Sequence, residues 1–150
     1  QHLIENPAQC MFSNYSWPSV KSRMFMVQAQ TDQVVLEGHD CFPRDHMEEP
    51  EEQAFMQQWH DNMTIALQPF FSDDPPMVSQ DNMEKHQFGA FAAACYTHTA
   101  FSHDKPIING MNMYQAFHNF YYQEKDTDPA SFLVADDCGM MCNPTCPPLS

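Results

Sequence analysis

With 150 residues, 43% of them hydrophobic and 13% aromatic, the chain carries enough apolar surface to bury a core and falls outside the disordered class. Twenty Asp and Glu against six Lys and Arg give a formal charge of −14, which repels phosphate backbones and anionic bilayers and argues against nucleic acid as a partner. No apolar run reaches the roughly 18 residues that a transmembrane helix needs, so no membrane span is expected.

Residues 1–21 are turn-rich, with Pro7 and Pro18, and show no signal-peptide pattern; any targeting segment is expected upstream. Next, "SRMFMVQAQ" (Ser22 to Gln30) is an almost unbroken apolar run that ends in "TDQ". This pattern predicts a buried strand with Asp32 just beyond its carboxyl end. From Pro50 to Leu67, the residues Phe55, Met56, Trp59, Met63, Ala66 and Leu67 recur at three and four, after a start marked by Pro50 and acidic residues. That spacing predicts a helix stopped by Pro69. The stretch 70–84, with Pro75-Pro76 and four acids, reads as an exposed loop.

"HQFGAFAAACYTHTA" fits either a tightly packed strand or a helix, and the strand is the preferred reading, with His98 at its end. Gly110 then precedes an amphipathic segment with Met113, Phe117, Phe120 and Tyr121 on one side, and "SFLVADD" suits a short final strand. Two or three strands alternating with two helices make an α/β pattern, although three strands form a thin sheet for so much apolar surface.

Eight His and six Cys raise the question of a metal. Cys138, Cys142 and Cys146 are spaced by four, without the paired two-residue gaps of common zinc sites, and Pro144, Pro147 and Pro148 stiffen them. The reading is therefore disulfides, extended to Cys10, Cys41 and Cys95, with no metal and no cofactor; their pairing stays open. This cysteine usage, with the sequons Asn14-Tyr15-Ser16 and Asn62-Met63-Thr64, points to an oxidising, secretory compartment and to a secreted glycoprotein. Asn62 lies close to the apolar stripe of its helix, so Asn14 is the better acceptor of the two.

Asp32 and His98 are the candidates for chemistry, because functional groups in open α/β sheets gather at the carboxyl ends of strands. Their order matches the Asp-then-His order of hydrolase triads, with His103-Asp104 as a decoy of equal appeal. No Gly-x-Ser-x-Gly occurs in the sequence.

In order and spacing, "AQCMFSNYSWPSVKSRMFMVQAQTDQ", "FAAACYTHTA", "NGMNMYQAFHNFYYQ" and "ADDCGMMCNPTCP" resemble the C-terminal half of the pectin acetylesterase/Notum family of secreted carboxylester hydrolases. The resemblance covers most of residues 8–147. It implies an α/β-hydrolase-like sheet with flanking helices and a Ser-Asp-His triad, in which Asp32 of "QTDQ" matches the acid and His98 of "CYTH" matches the base. His103 then has no role. The family's nucleophile sits in a Gly-x-Ser-Ala-Gly turn far upstream, so residues 1–150 are expected to be the C-terminal portion of one domain. The rest of that domain, with the nucleophile and the oxyanion hole, is expected on an N-terminal chain cut from the same precursor.

Plant members resemble one another in having "YDxWQ" around the acid and "AHCQ" after the shared Cys-Tyr, where this chain has Thr31-Asp32-Gln33-Val34-Val35 and Thr97-His98-Thr99-Ala100. Substrate contacts should differ accordingly, and Val34, Val35, Thr99 and Phe101 are the candidates for the acyl pocket. The expected substrate is an acylated extracellular carbohydrate, by default an acetylated one. The strong negative charge counts against polygalacturonate itself. The competing expectation is a catalytically silent structural or carbohydrate-binding member of the same fold.

Overall fold

A computed structural model of the chain describes residues 20, 22–71, 87–98, 104–124 and 126–148. The apolar run becomes β1 (Met24–Asp32), which lies two residues further along than the sequence suggests. Arg23 is not part of the strand: its guanidinium donates to the carbonyls of Phe120 and Tyr121 and lies 4.5 Å from the Phe120 ring centroid. At the other end, the polar pair Thr31 and Asp32 remains in the strand because each still pairs with the neighbouring strand.

That neighbour is β2 (Phe88–Thr97), and all ten of its residues are buried. It runs parallel to β1 on one side and to β5 (Leu133–Ala135) on the other, giving the order β1-β2-β5. A central parallel strand is covered on both faces, which is why its sequence reads as continuous rather than alternating hydrophobicity. Its small residues follow from crowding. Gly89 pairs with Phe25, and a Cβ built on it would lie 2.6 Å from the Phe25 ring and 2.7 Å from the Phe120 ring.

Successive side chains of β2 serve opposite layers. Phe91, Ala93 and Cys95 pack with Ile108, Ala116 and Val134 on one face. On the other, Phe88 and Ala90 pack with Phe70, while Tyr96 joins Leu36, Phe42, Met47 and Met56. The result is a sheet between two helical layers, confirming the α/β class.

A short helix, α1 (Gln33–Gly38), follows β1 directly, and α2 (Pro50–Leu67) returns the chain toward β2. The boundaries of α2 match the sequence reading, with Pro50 in its first turn and Pro69 in the 3-10 turn that follows. Its inward stripe is narrower than expected: Met56, His60 and Leu67 are buried, but Phe55 is 41% exposed and Ala66 is also exposed. A helix laid on a sheet presents little more than one row of side chains to it, and here a histidine occupies that row.

A hairpin, β3 (Ile107–Ile108) and β4 (Met111–Asn112), turns at Asn109-Gly110, both with positive φ (51° and 80°), a turn that Asn-Gly suits. The helix α3 (Met113–Tyr121) starts from a capping box in which Asn112 and Gln115 exchange hydrogen bonds of 2.9 Å. Ala116 and Phe120 bury its inner side, whereas Phe117 and Tyr121, expected there, stay exposed.

The C-terminal cysteines do not form one knot. Cys138 bridges Cys142, while Cys146 reaches back 51 residues to Cys95 in β2. Closing a loop of that length is worth about 4 kcal/mol on the chain-entropy account, against about 2 kcal/mol for the small one. Cys41, expected in a bridge, is exposed and has no disulfide partner among the described residues. Cys10 lies outside those residues.

Two outcomes follow for stability. Gly89→Val forces two aromatic rings apart and should cost about 1–3 kcal/mol, read as a lower urea midpoint. Burial holds His60 below the usual histidine range against an opposing pull from Asp61, and its Nδ1 has no hydrogen-bond partner among the described residues. The unfolded chain therefore binds the His60 proton more readily, and stability drops as pH falls below about 6.5. Urea midpoints at neutral and acid pH should converge in His60→Leu relative to the native chain.

Candidate active site

A register irregularity places the two candidate residues side by side. Along β1, Ala29 pairs with Ala93 and Thr31 with Tyr96, so β2 spends three residue steps where β1 spends two. On the other edge of β2, past the end of β5, side chains take over the pairing. The Asp136 carboxylate accepts from Ala94 N–H at 2.8 Å, and the Gln30 amide donates to the carbonyls of Ala92 (3.1 Å) and Asp136 (2.8 Å). Beyond the bulge, Asp32 pairs with Thr97, and His98 is the first residue after β2.

Asp32 ends β1 and caps α1. Its Oδ1 accepts from the N–H groups of Val34 (3.0 Å) and Val35 (3.1 Å), and Oδ2 accepts from the Gln28 amide at 3.4 Å. The residue is 5% exposed. His98 Nδ1 lies 3.0 and 2.9 Å from the two carboxylate oxygens. A carboxylate only accepts, so the ring proton resides on Nδ1 and the lone pair on Nε2. With its side chain 45% exposed, His98 has a buried, oriented partner on Nδ1.

A second tie joins the same elements. Tyr96 O–H donates to Glu37 Oε1 at 2.8 Å, linking α1 to β2, and Arg44 lies 3.9 Å from that oxygen. Burial, followed by this carboxylate, pushes the phenol well above its ordinary range, so Tyr96 is a permanent donor. Gln28, Glu37, Tyr96 and Asp136 were not among the residues expected at the site. Gln28 had a signal in the sequence, since it lies four residues before Asp32 in one strand; the others depend on long-range pairing.

Of the acyl-pocket candidates, Val34 is 48% exposed and Val35 half-buried, both in the first turn of α1 beside Asp32. Thr99, Phe101 and the discounted His103 lie outside the described residues. Asn62 is exposed on α2, and Asn14 lies outside the described residues. No cluster of three metal-ligating side chains occurs among the described residues.

The "CNPTCP" segment is a polar hub. Asn143 is 4% exposed, donates to Ile107 O (3.0 Å) and to Asp136 Oδ2 (2.8 Å), and accepts from Thr145. Asp136→Ala removes the acceptor for both Ala94 N–H and the Asn143 amide. It should cost about 1–3 kcal/mol and accelerate amide exchange at Ala94, as measured by urea unfolding and hydrogen exchange.

The pectinacetylesterase family model matches residues 2–147. No curated protein matches the chain. Among the described residues no helix is long and apolar enough to cross a membrane, and two disulfides are formed. The family is one of carboxylesterases, and since the match takes in nearly the whole sequence, this chain belongs to the pectinacetylesterase family.

Proposed function

We propose that this chain supplies the acid and the base of a Ser-Asp-His carboxylester hydrolase that deacetylates an extracellular polysaccharide. The observation that carries the proposal is the Asp32 carboxylate held by two backbone N–H groups and engaged with His98 Nδ1, at the carboxyl ends of two adjacent parallel strands. In this reading, His98 Nε2 takes the proton from a serine hydroxyl as its oxygen attacks the ester carbonyl, and then returns it to the leaving alcohol. Water repeats the sequence on the acyl-enzyme and releases acetate. Asp32 keeps the imidazole in the correct tautomer and stabilises the imidazolium that forms.

The sequence has no Gly-x-Ser-x-Gly, so the nucleophile is assigned to another segment, the N-terminal part of the same precursor. The sheet supports this assignment. Among the described residues β1 is an edge strand, yet it is nine residues long with an apolar first half and Val27 38% exposed, and such an edge favours a further strand. Membership of a carboxylesterase family and the disulfides favour an ester substrate and an extracellular setting.

The test uses the full-length protein. A fluorophosphonate probe should label a serine outside this sequence, and acetate should be released from acetylated polysaccharide. Asp32→Asn and His98→Ala should each lower kcat by on the order of 10⁴-fold with little change in thermal stability. Absence of both labelling and acetate release from the folded native protein would sink the proposal in favour of a silent member of the fold.

A further inference from the structure

The solvent side of α2 carries a groove of about 470 Å³ lined by Asp40, Phe55, Gln58, Trp59 and Asn62. Its floor is aromatic. The Phe55 ring lies 6.1 Å from the buried Phe42 ring with only 14° between their planes, so Phe42 backs it while 41% of Phe55 stays open. Trp59 packs against the Leu36, Phe42, Met47 and Met56 cluster, and its indole N–H donates to Asp40 Oδ2 at 3.1 Å, which fixes the ring. Oriented aromatic surfaces flanked by a carboxylate and amides suit a pyranose ring: the apolar C–H face rests on the aromatics, and hydroxyl or acetamido groups meet Asp40 and Gln58.

The sequon decides the occupant. Asn62 opens Asn62-Met63-Thr64, and both Asn62 and Thr64 are exposed. Gln58, Trp59 and Phe55 lie four, three and seven residues before it, so all four residues share one side of the helix. Helical side chains lean toward the N-terminus, over the preceding turn. A group attached to Asn62 Nδ2 is therefore directed over Trp59 and Phe55.

We propose that Asn62 carries an N-linked glycan whose first N-acetylglucosamine lies in this groove, on Trp59 and Phe55. In the modification, Asn62 Nδ2 bonds to C1 of the terminal N-acetylglucosamine of a polyprenyl-diphosphate-linked oligosaccharide. The C1–O bond to phosphate breaks, the polyprenyl diphosphate leaves with the electron pair, and the amide gives up one proton. Transfer to the extended chain precedes helix formation, so the folded protein need only keep Asn62 in solvent. The proposal requires passage through a glycosylating compartment and does not rest on the esterase reading.

The experiment is secretion of the full-length protein from a eukaryotic host, followed by peptide mass mapping before and after N-glycosidase treatment. Thr64→Ala abolishes the acceptor without touching a groove residue. The expected result is a glycan on the Asn62 peptide, absent in Thr64→Ala, with glycan removal lowering Tm by a few degrees. That loss should vanish in Phe55→Ala. An unmodified Asn62 in secreted, folded protein would overturn the proposal, as would an equal Tm loss in Phe55→Ala. So would calorimetric binding of an acetylated galacturonate oligosaccharide with equal affinity to glycosylated and Thr64→Ala protein, provided that the binding is lost in Trp59→Ala. That result would give the groove to a free saccharide.

Discussion

The extra residue of β2 opposite β1 is the constraint from which the rest of the molecule follows. Without it, strict pairing would carry the end of β2 past Asp32 in a different register, and the imidazole would not meet the carboxylate. On the other edge of β2, where the short β5 ends, the buried Ala94 N–H needs a partner from elsewhere. Asp136, just after β5, provides it, and Gln30, within β1, ties the carbonyls of Ala92 and Asp136 together. The third strand therefore also delivers the Asp136 carboxylate to the Ala94 N–H beyond its own last pair.

Asp32 illustrates how little local structure is needed to hold a carboxylate against an imidazole. Asp32 is at once the last residue of a strand, the cap of a six-residue helix and the partner of His98. Its two oxygens are bound from three directions, so the carboxylate has no freedom to rotate away. Tyr96 and Glu37 brace the same helix against the same strand from the other side. Asp32 and His98 are aligned by backbone geometry and one phenol.

Much of this was legible in the sequence, for identifiable reasons. Periodicity and proline gave the bounds of α2, because an 18-residue amphipathic stretch with Pro50 at its start and Pro69 at its end has one good solution. The choice of Asp32 and His98 rested on apolar runs ending in polar residues, a rule that survives an error of two residues in where β1 begins. Long-range partnerships were not legible. Nothing local in "ADDC" says that Asp136 will bond Ala94, or that Cys146 will choose Cys95 over a cysteine four residues away. The outward placement of Phe55, Phe117 and Tyr121 was missed for a related reason: hydropathy ranks a side chain's affinity for a core, but sheet geometry limits how many can reach it.

The Cys95–Cys146 bridge has one further consequence, concerning damage rather than stability. Its loop encloses His98, the hairpin, α3 and β5. A protease cutting any connection between residues 96 and 145 would produce two ends but no departing fragment, since the strand that leads to His98 and the tail of the chain remain covalently one piece. A nick in that region would be silent until the disulfide was reduced. The long connection between β1 and β2, which contains no bridged cysteine among its described residues, has no such insurance.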